Sequence, residues 1–162
     1  MVRAPIFRFR PGQADCLHLD FWHAGINILR DAGSYSYNTE QKWLSYFSGA
    51  EGHNTVQFDQ RQAMPKVSRF LYGKWPKYSV FDVQQQNMQV KYVDWKNAVH
   101  LREIELTDNQ LIIKDTISGQ FEQACLRWRL ADLAWQVQGQ SLLTEHIQLS
   151  IVSSQDLIDF TL

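Results

Sequence analysis

From Leu17 onward, apolar and polar residues alternate with a period of two, the signature of strands that bury one face. In the run CLHLDFW, the alternation assigns Leu17, Leu19 and Phe21 to one face and Cys16, His18, Asp20 and Trp22 to the other. Ala24-Gly25 supplies a two-residue turn, and residues 26–29 return as the hairpin partner. Strands are expected at 54–58, 68–73, 78–84, 88–93, 99–106, 110–118 and 124–130, with weaker alternation at 134–138, 141–144 and 146–153. Turn residues separate them at Asp94-Trp95-Lys96-Asn97, Asp108-Asn109, Ser118-Gly119 and Gly139-Gln140. Helical periodicity is confined to 39–47, where Asn38 or Thr39 would cap and Trp43, Leu44 and Phe47 would form an apolar stripe. The pattern contains no internal repeat, low-complexity tract or linker. It predicts an all-β fold, an antiparallel β-sandwich with one short helix near 39–47, folding as a single domain over residues 1–162.

Composition narrows the function classes. A chain of 162 residues can bury a core without staples, and its two cysteines, Cys16 and Cys125, make no disulfide framework. The formal charge of -1 is uneven: Arg3, Arg8 and Arg10 open the chain, whereas its last eighteen residues carry Glu145, Asp156 and Asp159 and no Lys or Arg. Nucleic-acid binding is not expected without a basic surplus. No run is apolar enough to span a bilayer, and the first eleven residues lack the apolar core of a secretory signal. A glycine-rich phosphate loop and a GxSxG elbow are both missing, which sets aside nucleotide, flavin and serine-hydrolase chemistry.

Four segments carry a resemblance: QAD at Gln13 to Asp15, LDFW at Leu19 to Trp22, RDAGSYSYN at Arg30 to Asn38 and GHNTVQFD at Gly52 to Asp59. With HLREIEL, IIKDTISG and LRWRL between His100 and Leu130, they resemble the C-terminal β-sandwich domain of the heparinase II/III-like polysaccharide lyases, bacterial enzymes that cleave acidic polysaccharides by elimination. The resemblance implies a parent lyase in which a helical toroid precedes the sandwich, so that this chain is a fragment, inactive alone. It also implies a periplasmic or secreted parent, although this chain carries no signal peptide. The implied partners are an acidic, uronate-containing polysaccharide and the toroid of the same protein. If terminal strands are missing, unpaired sheet edges would favour a homo-oligomer.

The resemblance also implies a zinc site, held by the aspartate of the DxG corner, here Asp31, the histidine of the HNT step, here His53, and a histidine heading the HxD triplet, where this chain has Gln13. Glutamine is a neutral oxygen donor and a poor zinc ligand beside imidazole. No cofactor is therefore expected, with zinc as the alternative; Asp31 and His53 would instead bond each other or nearby backbone and pin the corner. Cys16, His18 and Asp20 form a second metal candidate only as a by-product of alternation.

Elimination from a uronate needs a base, an acid and a group that neutralises the carboxylate. Tyr35, Tyr37 and His53 are the catalytic candidates, and Gln13, Arg30 and Asn54 the substrate-binding ones. In the family, the base tyrosine and neutralising asparagine come from the toroid. The sandwich's own cleft histidine falls near Pro11, Gly12 and Gln13, where this chain has no histidine. The alternative reading is a non-catalytic carbohydrate-binding or scaffolding domain. Of six tryptophans most are expected in the core, with Trp75 and Trp95 near turns; His23, His100 and His146 are expected in solvated or structural roles.

Overall fold

The computed structural model describes residues 1–4, 11–36, 38–68, 71–84 and 86–154. The chain divides into two compact units, Met1–Arg129 and Leu130–Leu162. Among the described residues all strand pairs are antiparallel and one α-helix forms, an all-β sandwich.

In the first unit, β1 (Phe21–His23) and β2 (Ile26–Leu29) form the expected hairpin. Ala24 and Gly25 both take positive φ, 48° and 80°, as a tight turn matched to strand twist requires. Helix α1 (Gln41–Ser48) and a single 3-10 turn (Ala50–Gly52) lead into β3 (Val56–Phe58). After β4 (Lys66–Ser68) and β5 (Leu71–Tyr72), four strands run as a meander: β6 (Lys77–Val83), β7 (Asn87–Val93), β8 (Ala98–Leu106) and β9 (Leu111–Gly119). Then β10 (Ala124–Leu126) pairs back onto β3.

One face of the meander and the β3–β10 pair make the two layers. Val90, Tyr92 and Ala98 from the meander close on Val56 and Phe58, with Cys16 and Leu17 between them. Alternation along β8 puts His100 and Arg102 on this inner face too, both fully buried. Gly119 ends β9 because a Cβ there would lie 2.1 Å from the Asn97 carbonyl, and its φ is +93°. The second unit is a smaller meander of β11 (Gln136–Gln138), β12 (Ser141–Leu143) and β13 (Gln148–Ser150), with Gly139 at positive φ in its first turn.

Four expectations are corrected. The alternation of CLHLDFW does not sort two faces: Cys16, Leu17, His18 and Leu19 are all buried, and only Phe21–His23 is strand. The chain turns there, Leu17 at φ 54° and the His18 N–H donating to the Asp15 carbonyl at 3.0 Å, so the segment is enclosed on all sides. The strand expected at 68–73 is instead a hairpin of β4 and β5, Ser68 opposite Leu71, whose connection lies outside the described residues. Neither Asn38 nor Thr39 caps α1; Glu40 does, without a side-chain bond, while the Asn38 N–H donates to Ser36 Oγ at 3.1 Å. The helix buries no residue, because its Trp43 and Phe47 meet Tyr35 at the surface. None of the six tryptophans is fully buried, in keeping with the bulk of that side chain.

Candidate functional site

The corner begins at Asp31, whose Oδ1 accepts the Gly33 N–H at 2.5 Å. Gly33 has φ +78°, a conformation that glycine adopts without penalty. The Ala32 N–H donates to the Gly52 carbonyl at 3.1 Å, which ties the corner to the 3-10 turn and sets it beside the buried step His53-Asn54-Thr55.

Asn54 braces this junction. Its Nδ2 donates to the carbonyls of Leu19 at 2.8 Å and Arg30 at 3.3 Å, and its Oδ1 accepts the Arg129 N–H. Thr55 Oγ1 donates to the Cys16 carbonyl at 2.5 Å. The side-chain polar groups of Asn54 and Thr55 are thus spent on backbone from three segments, around Cys16 and Leu19, at Arg30 and at Arg129.

Three side chains converge on one carboxylate oxygen. Asp31 Oδ2 lies 3.2 Å from Arg3 Nη1, 3.4 Å from His53 Nε2 and 3.8 Å from His18 Nε2. The two imidazoles meet edge to face with centroids 5.3 Å apart. Asp31 Oδ2 and both Nε2 atoms are buried, with no hydrogen-bond partner among the described residues. Burial works against the Asp31 carboxylate, but its contacts with His53 and the Gly33 N–H outweigh that and hold its pKa below the usual carboxylate range. Burial, and then the neighbouring His53, push His18 down to about 3, against the pull of Asp31.

The backbone fixes the two imidazole tautomers differently. The Asn54 N–H donates to His18 Nδ1 at 3.0 Å, so that nitrogen holds a lone pair and neutral His18 carries its proton on Nε2. His53 Nδ1 lies 2.5 Å from the Gly49 carbonyl and must donate to it, so Nε2 is the one nitrogen of His53 that could offer a lone pair. His18 therefore points an N–H at Asp31 and cannot act as a metal ligand there. Only His53 Nε2 and Asp31 Oδ2 remain, one donor short of the three protein ligands of an open zinc site. Gln13 does not supply the third, since its Oε1 accepts from Arg3 Nη1 at 3.3 Å. These residues do not fit the zinc site that the resemblance implies, and no group of three or more His, Cys, Asp or Glu side chains among the described residues is arranged to hold a metal.

The other candidates are dispersed. Tyr35 is 71% exposed, sits at φ 52° and stacks on Phe47 with ring centroids 5.3 Å apart and planes at 16°. Trp43, 41% exposed, lies 6.3 Å from both rings, with Lys42 Nζ 5.3 Å above it. Arg30 is half-buried and its N–H donates to the Arg129 carbonyl at 2.9 Å. Tyr37, Arg8 and Arg10 lie outside the described residues. Of the alternation set, Cys16 accepts from the Tyr78 hydroxyl at 2.9 Å and is pushed up to about 12, burial being the main cause, whereas Asp20 is only half-buried. The set does not converge. Cys16 and Cys125 are free thiols.

Sequence reasoning missed the hub centred on Arg102. Its Nε and Nη2 donate to Asp115 Oδ1 and Oδ2 at 2.7 and 2.9 Å, and its Nη1 donates to the carbonyls of Leu17 and Asn54, both at 2.7 Å. His100 Nε2 reaches Asp115 Oδ1 at 2.7 Å, and the guanidinium lies 4.9 Å from the Trp128 ring centre. Burial opposes ionisation of Asp115, but the Arg102 charge and the bonds from His100 and Arg102 outweigh it and keep its pKa low. The hub holds Leu17 and Asn54, and through them the floor of the corner.

No curated protein and no solved structure matches this chain. A family description does: Heparinase II/III-like, C-terminal, matched over residues 4–156. That span takes in the DxG corner, the HNT step and the buried hub alike, and the chain belongs to the heparinase II/III-like C-terminal family.

Proposed function

We propose that this chain is the sandwich domain of a polysaccharide lyase that cleaves an acidic, uronate-containing polysaccharide by β-elimination, and that it is inactive without a helical toroid. The carrying observation is the family match over residues 4–156. The chemistry agrees with a dependent role. His53, the one histidine among the catalytic candidates, is fully buried with Nδ1 committed to backbone, so no proton path to a sugar runs through it as the domain stands. Tyr35 and Trp43 form an accessible ledge near the corner that suits stacking on a sugar ring, beside Lys42, whose ammonium is paired with Glu40 at 2.9 Å. A base and a carboxylate-neutralising group would come from the partner domain.

A second reading, a non-catalytic carbohydrate-binding or scaffolding domain, is favoured by Gln13 at the head of the triplet and its engagement with Arg3. One experiment separates them. The 162-residue chain and a longer form carrying a toroid are each given a panel of acidic polysaccharides, and absorbance of the unsaturated uronate product is followed. Product from the longer form alone is the expected result; binding without product from both sustains the second reading. In either case Tyr35→Ala and Trp43→Ala weaken polysaccharide binding.

A further inference from the structure

We propose that the guanidinium of Arg3 is the resident cation of the Asp31 corner, standing where the family resemblance places a metal ion. Its Nη1 is surrounded by three oxygens from three residues: Asp15 Oδ2 at 2.9 Å, Asp31 Oδ2 at 3.2 Å and Gln13 Oε1 at 3.3 Å. The arginine is delivered there by backbone pairing. The Arg3 N–H donates to the His18 carbonyl and the Leu17 N–H to the Arg3 carbonyl, both at 2.9 Å, and Val2 bridges to Leu19.

Arg3 and Gln13 explain each other. A neutral amide oxygen is a poor ligand for zinc but a good acceptor for a guanidinium, which offers only donors. The guanidinium then offsets part of the acidic charge of Asp15 and Asp31, and it stays protonated at any working pH. A divalent ion placed between His53 Nε2 and Asp31 Oδ2 would take the same oxygen that Arg3 contacts and would face its positive charge. His18 adds no lone pair to offset this, because its Nε2 carries the proton. A guanidinium clamp joins the start of the chain, the QAD triplet and the DxG corner without any cofactor. This holds whether or not the domain takes part in catalysis.

The test uses the full chain, purified from zinc-supplemented culture. Metal analysis is expected to find far less than one zinc per chain, and neither a chelator nor added zinc should move the thermal midpoint. One zinc per chain, with a midpoint that falls on chelation, would overturn the proposal. A second arm compares Arg3→Lys, which keeps the charge, with Arg3→Met, which keeps the length. The lysine variant should retain more of the wild-type midpoint than the methionine variant; equal midpoints would sink the clamp, and a lysine variant that folds where the methionine variant does not would sustain it. Should neither fold, the zinc arm decides alone.

Discussion

Two groups of arginine, aspartate and histidine lie in the same unit and are built differently. Around Asp115, Arg102 bonds both carboxylate oxygens from directly across the β8–β9 ladder, and His100 adds a further bond from the same face. Around Asp31, Arg3 and two histidines approach one oxygen from irregular chain at 3.2 to 3.8 Å, and three buried atoms lack hydrogen-bond partners among the described residues. The first is nearly saturated, with His100 Nδ1 its one orphan; the second keeps unspent capacity. A saturated network at the centre of a sheet specifies packing, whereas buried atoms left unpaired call for an explanation. On this contrast Asp115 belongs to the architecture, while the Asp31 corner keeps buried polar capacity that the fold itself does not use.

The sharpest way to break this contrast is to remove each arginine in turn. Arg102→Met leaves the Asp115 carboxylate buried and uncompensated and should cost about 3–5 kcal/mol in denaturant unfolding. Acidification should act on both groups. His18 and His100 are each held neutral by burial, with pKa values below the ordinary histidine value. The unfolded chain then binds more protons than the folded one, so stability is full above about pH 6.5 and falls below it. Each histidine contributes a slope of up to about 1.4 kcal/mol per pH unit until its own lowered pKa is reached. The depressed carboxylates of Asp31 and Asp115 add a further loss as pH falls below about 4, where the unfolded carboxyls begin to protonate. Thermal midpoints between pH 7 and 3 would read this, and a flat profile down to pH 5 would contradict buried neutral histidines. Next in size, Asn54→Ala should cost about 2 kcal/mol by stranding the groups that its amide now satisfies. Smallest is Arg3→Met at a partly exposed site, about 1 kcal/mol or less. If Arg3→Met cost as much as Arg102→Met, the distinction between the two groups would fail.

The parts legible in the sequence were those where one face meets core and the other solvent. The β6–β9 meander falls within about a residue of its expected bounds because alternation and turn residues agree there. The alternation was misread at 16–19 because every side chain there is enclosed, and parity carries no information when both faces are buried. Asp31 and His53 stood out by their motifs. The role of His18 did not, since it depends on which ring nitrogen the Asn54 N–H reaches. The Arg3 contact with Asp31 was hidden for another reason: it crosses irregular chain that no ladder registers. The Arg102–Asp115 pair was hidden less deeply. With Leu106 opposite Leu111 around the Asp108-Asn109 turn, counting back along the hairpin puts 102 opposite 115.

The reach of Arg102 also has a kinetic meaning. Its bonds to Asp115 form as soon as the β8–β9 hairpin closes, but its partners at Leu17 and Asn54 are 85 and 48 residues away along the chain. Such distant contacts are slow to assemble, because the entropy of closing long loops is lost before they return anything. Until both carbonyls arrive, the guanidinium keeps its water, and the inner face of the meander cannot become dry. The expected order of assembly is therefore the hairpin first, then the N-terminal segment and the His-Asn-Thr step, and a folding rate left unchanged by Arg102→Met would contradict it.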